Sequence, residues 1–470
     1  MANRKKYLQL CLTLVALFQL SPGIAQTAGQ TLTLPQALQI AAANYQLLQA
    51  KENYARASAE AVQAAKKDAL PDVTVAAQNA YGTLNGMNGL SSGLVGITAI
   101  TAGPVFPSQN GTTAFGALYL SNINWNIFSF GLQRANVAAA RGQYDRDLAD
   151  LEQEKFQQQG RVAVAYLNLL TAQRLRLSME NNLQRASQLR DIILRRTDNG
   201  LNPGVDSSIA NSELSRARLS LTDAINYEQS QTNQLSVQLG IPPQPLGLDT
   251  SFVIRLPKTI PPQTPANISQ HPILQFMDRR VKASDLTAAY LHKTSFPRFS
   301  LFGVGQERGS GFGSNYASNT SDYTTSYFKG INPTTANYLL GIGVTWNITD
   351  LTKTRSRVRS QQYLSAALKN EYHLEENQLL NQLSLADQQI GNALTKYKEA
   401  PFQLKSAQDA YQQKTALYEN GLTNIVDVAQ TLYTLNRAET DSDISCNAVW
   451  QALLYKAITT GDMNLFLSQY

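Results

Sequence analysis

Few side chains in this sequence could do covalent or metal chemistry, and they are scattered. His271, His292 and His373 lie far apart, and none has the HExxH or CxxC-type spacing that holds zinc. GxSxG and the Walker-type phosphate loop are absent, and Gly303-Val304-Gly305 lies in a strand-like stretch instead of opening a helix. No cofactor or metal is expected and an enzyme is the minority reading, with a secreted hydrolase using a diffuse carboxylate pair as a third alternative. The polar residues with a regular relation are of another kind. Asp206 follows the tripeptide Asn199-Gly200-Leu201 and Asp427 follows Asn420-Gly421-Leu422 at the same interval, with Tyr418 just ahead of the second turn. Carboxylates accept hydrogen bonds and attract cations, whereas the glycines most simply supply positive φ at helix ends. Each aspartate directly precedes a helical run, so N-capping is an equal explanation for it, and Tyr418 could be a heptad core aromatic.

Those turns sit inside a longer duplication. Ile123, Trp125-Asn126-Ile127 and Arg134 recur as Val344, Trp346-Asn347-Ile348 and Arg355 at a constant spacing of 221 residues. The same spacing carries Val205-Asp206 to Val426-Asp427, Leu214 to Leu435 and Arg216-Ala217 to Arg437-Ala438. Upstream, Pro71 corresponds to Pro297 at a spacing of 226, which puts a five-residue slip in a variable loop between Pro71 and Ile123. The expected organisation is a signal peptide over residues 1–25, a first repeat over 26–240, a proline-rich linker over 241–265 and a second repeat over 266–470.

Arg4, Lys5 and Lys6 precede an apolar run from Leu8 to Leu20, and Gly23-Ile24-Ala25 supplies the small residues of a cleavage site. The run of 13 residues falls short of the roughly 20 needed for a membrane-spanning helix. Cys11 follows Leu10 inside that run, which is not the place of a lipid-modified cysteine. Once the leader is removed, Cys446 is the remaining thiol and no intramolecular disulfide can form. The formal net charge of +6 falls to +3 with the leader gone, so nucleic acid is not an expected partner. Charged residues are 16% of the chain, below the roughly 25% of soluble domains, so much of the polar surface carries no charge.

Both copies predict the same elements. A helix from about Leu34 to Ala69, and another from about Ser269 to Thr294, each run up to a proline. Strands at Val73 to Tyr81 and Phe299 to Gln306 follow, then loops over 82–117 and 307–337, then a second strand into the Trp-Asn-Ile motif. In the clearer copy Leu340, Ile342, Val344, Trp346 and Ile348 alternate with Gly341, Gly343, Thr345 and Asn347, giving one apolar face. Strands of about nine to eleven residues suit a tilted membrane crossing, but length alone does not choose between that and a soluble sandwich; Trp125 and Trp346 suit an interfacial aromatic girdle, with a core position as the alternative. Four strands cannot close a barrel, so in a membrane the chain must oligomerise. Helices of about 70 residues come next, with Leu148, Leu151, Val162, Ala165, Leu169, Ala172, Met179, Leu183, Ala186 and Ile193 on one heptad frame. Closing helices of about 36 residues start near Val205 and Val426, and an opening helix plus a closing helix end to end match one long helix.

This pattern resembles the TolC family of outer-membrane channel proteins over about residues 31–465. The most specific stretch, Tyr418 to Val428, is similar to the family's Y-x-x-G-x-x-x-x-x-D-V turn, and the first turn is a degenerate version containing Pro203. The resemblance implies a mixed α/β membrane protein of the Gram-negative outer membrane, extending into the periplasm. In that family, three protomers each give four strands to a twelve-stranded β-barrel in outer-membrane lipid, continuous with a long α-helical coiled-coil tunnel. The implied partners of such a homotrimer are an inner-membrane pump and a periplasmic adaptor (membrane fusion) protein. The adaptor would dock at the helical turns, here Asn199, Gly200, Leu201, Val205, Asn420, Gly421, Leu422 and Val426. The implied function is the passive exit duct of a tripartite efflux or type I secretion system. At its periplasmic constriction Asp206 and Tyr418 match a closing bond, and Asp427 matches the aspartate of the D-V motif, which three-fold symmetry would make a cation-attracting ring. Thr423 and Gln430 depart from the Arg and Asp often found there, so a weaker closing network and a less acidic entrance are expected. The main alternative is a periplasmic or surface coiled-coil scaffold without channel activity.

Overall fold

The computed structural model describes residues 31–86, 103–259 and 268–469. The expected signal peptide, the middle of the first loop and Pro261, Pro262 and Pro265 lie outside the described residues. In chain order the elements are α1 (Leu34–Asn44), α2 (Gln46–Lys67), β1 (Asp72–Thr83), β2 (Thr113–Phe128), α3 (Leu132–Asp198), α4 (Gly204–Leu239) and α5 (Ser251–Ile254). After a short turn at Ile268–Gln270 come α6 (Pro272–Lys293), β3 (Arg298–Ser310), α7 (Tyr327–Ile331), β4 (Thr335–Thr345), α8 (Asp350–Glu419), α9 (Ile425–Thr460) and α10 (Asn464–Leu467). The chain divides into two compact units, one holding Ala50–Glu152 and Pro272–Glu376, the other Gln153–His271, Asn377 onward and the residues up to Gln49.

The first unit is built on one antiparallel sheet in the order β1-β2-β3-β4, whose outer strands β1 and β4 have no further strand partner among the described residues. Register places Val73 beside Ile123, Ile123 beside Gly303 and Gly303 beside Leu340. Side chains alternate across a strand, so Val73, Val75, Ile123, Trp125, Leu301, Leu340, Ile342 and Val344 share one face. All of them are exposed. The opposite face is mixed, with Thr74, Gln78, Asn122, Asn124, Ser300 and Gln306 among Leu118, Leu120, Phe302 and Leu339. The strands run to 12, 16, 13 and 11 residues, three of them longer than alternation alone suggests. Ladder pairing continues through Arg308 and Gly309, where the hydrophobic signal has already faded, whereas β4 stops at Thr345, short of the Trp346 and Ile348 that the alternation included. The loop expected over 307–337 is itself ordered: α7 packs its Tyr327 ring edge-on against Phe115 at 5.1 Å.

Trp125 and Trp346 are 41% and 50% exposed, so neither is a core residue. Each indole N–H donates to a backbone carbonyl just past a helix end, Trp125 to Ala69 at 2.9 Å and Trp346 to Ser295 at 3.0 Å. Carbonyls at a helix C-terminus have no intrahelical partner, and the two indoles supply one at the corner where helix turns into strand. Trp346→Phe keeps the ring and removes the donor. It is expected to cost about 0.5–1 kcal/mol, read as a lower urea midpoint for the purified protein.

The second unit holds the main core. Val162, Ala163, Ala165, Tyr166, Leu167, Leu169 and Leu170 of α3 are all buried, so this stretch is enclosed nearly all round instead of on one stripe. Around it pack Leu34 of α1, Leu235 and Leu239 of α4, Phe252 of α5, Trp450 and Leu453 of α9 and Phe466 of α10. The segment expected to be a linker is part of this core. Leu246, Leu248 and Phe252 are buried, and Leu32 bridges to Leu248. Cys446 also lies here, buried, with its Sγ 3.5 Å from the Arg255 carbonyl, and burial pushes its thiol up to about 11.

Three helical expectations need correction. The first opening helix breaks at Tyr45, whose φ of −72° and ψ of 111° are extended. No local breaker stands there; Gly240 approaches so closely that a Cβ on it would lie 2.8 Å from the Asn44 carbonyl oxygen. The second opening helix starts at Pro272 and has only 22 residues, because a proline sits at its first position and His271 before it turns out of helix. An opening plus a closing helix therefore falls short of the 70-residue α8 in that half. On α3, Leu148 of the heptad frame is 40% exposed, while the polar Gln158, one heptad after Leu151, is 2% exposed. Its amide donates to the Gln238 carbonyl at 2.6 Å and accepts from Arg161 at 2.9 Å.

Candidate functional site

The two helical turns are built alike. Gly200 and Gly421 have φ of +70° and +76°, the left-handed conformation that ends a helix without Cβ strain. Leu201 N–H reaches back to the Arg196 carbonyl at 2.8 Å and Leu422 N–H to the Leu417 carbonyl at 2.9 Å, the six-to-one bond of a Schellman end. At the tips Leu201, Val205, Leu422 and Val426 are exposed, at 59% or more of their surface. Asn199 and Asn420 are exposed beside them, and the Asn420 amide donates to the Ala416 carbonyl at 2.8 Å.

The aspartates are not the N-caps. Those positions belong to Pro203 and Asn424, and the Asn424 side chain accepts the Asp427 backbone N–H at 2.9 Å. Asp206 and Asp427 are third residues of α4 and α9, where a negative charge still meets the positive end of the helix dipole. Their carboxylates are left for side-chain partners. Asp206 Oδ2 accepts the Tyr418 hydroxyl at 2.9 Å and the Asn202 amide at 2.9 Å. Asn202 also donates to the Tyr418 oxygen, and its own carbonyl accepts Arg196 Nε at 3.0 Å. Arg196 donates to the Glu419 carbonyl at 2.6 Å and lies 5.9 Å over the Tyr418 ring. The turn of α3 and α4 is thus tied to the end of α8 by one connected set of bonds.

Tyr418 is 3% exposed, in a cluster with Ala186, Leu189, Ile193, Ala210, Ile425, Val428 and Leu432. It is a core aromatic and a hydrogen-bond donor together. Burial first, and then the bond to Asp206, push its phenol up to about 12, so it remains a donor throughout the neutral range. About 20 Å up the helices, by the axial rise per residue, Arg185 of α3 makes a two-pronged pair with Glu439 of α9 at 3.0 and 2.5 Å.

Asp427 has a separate environment. It accepts Lys414 Nζ at 2.8 Å and the Thr423 hydroxyl at 2.8 Å. Those two bonds, the lysine's first, hold its carboxyl below the usual carboxylate range. A depressed carboxyl contributes its stability above the unfolded value and loses it as pH falls through the folded one, so this tie is intact at pH 7 and at pH 5. Following the Asp427 carboxyl carbon by NMR should give a titration midpoint below the usual Asp value of about 3.9, moving toward that value in Thr423→Val.

Sequence reasoning singled out Asp206, Tyr418, Thr423 and Asp427, and the geometry joins them in two pairs. It missed Asn202, Arg196 and Lys414. Asn202 could have been suspected, as a short amide beside a turn proline at a place where the second copy has Thr423. Among the described residues there is no cluster of metal-ligating side chains, and no helix is long and apolar enough to cross a membrane.

No curated protein sequence matches the chain. Its fold is similar to solved structures at low identity. The outer-membrane channel OprN superposes with a TM-score of 0.71 at 19% identity, covering 91% of this chain and 89% of that one. The CmeC outer membrane channel of Campylobacter jejuni gives 0.73 at 13% identity, over 91% and 85%. The outer membrane protein VceC of Vibrio cholerae gives 0.70 at 15%, over 91% and 96%. Residues 37–240 and 268–442 match the profile described as outer membrane efflux protein. With that match spread over both halves of the sequence and both helical turns, the chain belongs to the outer membrane efflux protein family of TolC-like channels.

Proposed function

We propose that the protein is the passive outer-membrane exit duct of a tripartite efflux or type I secretion system. It would work as a homotrimer whose sheets close a twelve-stranded barrel and whose helices form a periplasmic tunnel gated at the turns. The observation that carries the reading is the sheet: an exposed apolar face, a more polar reverse face and two open edges. In lipid an open edge leaves several backbone groups without partners, and only closure by further copies removes both edges. From Phe115 to Trp125 is ten residues, about 34 Å along the strand and roughly 26 Å at a 40° tilt, the height of a barrel's apolar band.

The duplication at 221-residue spacing supports the same reading, since two copies of the unit around a three-fold axis give a wall of near-equivalent helices. The constriction is assigned to Asp206, Tyr418, Thr423 and Asp427. Adaptor docking is assigned to the exposed turn residues, and the interfacial girdle to Trp125 and Trp346. Energy would come from the inner-membrane pump, and no bond is made or broken by this chain. Single-channel recording of the purified, detergent-solubilised protein in a planar lipid bilayer tests the proposal. Discrete, cation-preferring steps are expected, whereas failure to insert would return the protein to a scaffold role.

A further inference from the structure

The start of α8 carries a charge run that neither the sheet nor the turns use. Lys353, Arg355, Arg357 and Arg359 lie within its first ten residues, and no acid occurs between Asp350 and Glu371. All four are exposed, and none pairs with a carboxylate among the described residues. On the same helices Arg280 pairs with Glu371 and Lys282 with Asp278, while Arg279, Lys396, Lys398 and Lys405 stand without a carboxylate among the described residues; the start of α8 differs in gathering four such cations within seven residues. Lys353 lies in the first turn, where the helix dipole disfavours a cation, and four unneutralised charges so close together favour an anion from outside the chain.

Arg355 and Arg359, one turn apart, line a cavity of about 680 Å³ together with His292 and Ser295 at the end of α6 and Thr352 and Gln362 of α8. The cavity thus offers two guanidinium forks beside hydroxyl, amide and imidazole groups, a lining suited to a phosphate oxyanion. Its height is fixed by its neighbours. Ser295 is the residue whose carbonyl takes the Trp346 indole N–H. His292 packs edge-on against Phe296 at 5.6 Å, and Phe296 continues through Phe130 to Phe299, which shares the apolar sheet face with Val344. Arg355 is five residues into α8, about 8 Å beyond its first residue, the thickness of one headgroup layer.

We infer that this cavity binds the phosphate headgroup of an anionic phospholipid in the periplasmic leaflet, with Arg355 and Arg359 as the gripping side chains and Lys353 and Arg357 as flanking charges. The inference rests on the barrel reading above. It is tested with the full-length trimer in vesicles of phosphatidylcholine and brominated phosphatidylglycerol, where quenching of Trp125 and Trp346 fluorescence gives the relative lipid affinity. The wild type should prefer phosphatidylglycerol by about five-fold or more per engaged cation. Arg355→Gln with Arg359→Gln should bring the ratio near one, and Arg355→Lys with Arg359→Lys, which keeps the charge without the fork, should fall between. A wild type without preference, or a Gln variant that keeps it, would overturn the inference. Loss of the preference in millimolar inorganic phosphate would assign the cavity to the free anion and equally overturn it. Conductance recorded in the same lipids separates the two readings. A conducting protein with no lipid preference sinks only this inference, whereas a protein that neither inserts nor conducts sinks the barrel reading and this inference with it.

Discussion

Tyr418→Phe combined with Arg196→Ala is expected to raise the open fraction of the channel by more than about 10-fold. The pair removes every direct hydrogen bond from the first turn to the end of α8: Tyr418 to Asp206, Asn202 to Tyr418 and Arg196 to the Glu419 carbonyl. A hydrogen bond to a charged group is worth roughly 1.5 to 3 kcal/mol, about 10- to 150-fold in an opening equilibrium. With Tyr418 3% exposed, water offers little substitute while the hairpins stay together. The guanidinium lies over the phenol ring, so the two effects are coupled and the double variant should fall short of the product of the singles. Planar-bilayer recordings of both singles and the double give the three values needed. Unchanged open fraction and step size in all three would take this cluster out of the gate and leave the duct without it.

The second large effect lies far from the turns. Phe252→Ala is expected to cost about 3–5 kcal/mol and to lower the apparent unfolding temperature of the purified protein by on the order of 10 °C. Phe252 is fully buried, with ring centroids 4.9 Å from Trp450, 5.9 Å from Tyr166 and 5.9 Å from Phe466. Deleting it leaves a hole walled by three aromatic rings, and large side chains of that kind collapse into a void only in part. Ile254, two residues on in the same short helix, is 66% exposed, and Ile254→Ala should change the midpoint little. Equal midpoints for the two variants would mean that the segment between the halves is a tether and not a core element.

That contrast marks where sequence reading worked and where it stopped. The turns were legible because Asn-Gly-Leu and Val-Asp recur in register and because glycine at a helix end has one dominant use. The strands were legible from alternation around Leu340, Ile342 and Val344, but their ends were not: β3 goes on pairing through Arg308 and Gly309, while β4 stops at Thr345, before the apolar Trp346 and Ile348. Phe252 was hidden by company: among prolines and polar residues, three buried apolar side chains at irregular spacing have no period to detect. The bond between Asn202 and Tyr418 joins residues 216 positions apart, and the break at Tyr45 lies against Gly240, the residue that follows α4. Neither contact leaves a trace in local propensity, because both are decided by packing between elements.

Cys446 opens an experimental route to the turn end. With its thiol held near pKa 11 and its Sγ facing the Arg255 carbonyl inside the core, about one molecule in ten thousand carries a thiolate there at pH 7. A maleimide or nitroxide reagent will therefore pass over it and react with a cysteine placed at an exposed tip such as Leu201 or Leu422. Spin labels at those tips can report the distance between hairpins in the otherwise native sequence, with no need to delete the buried thiol and disturb the packing around Trp450.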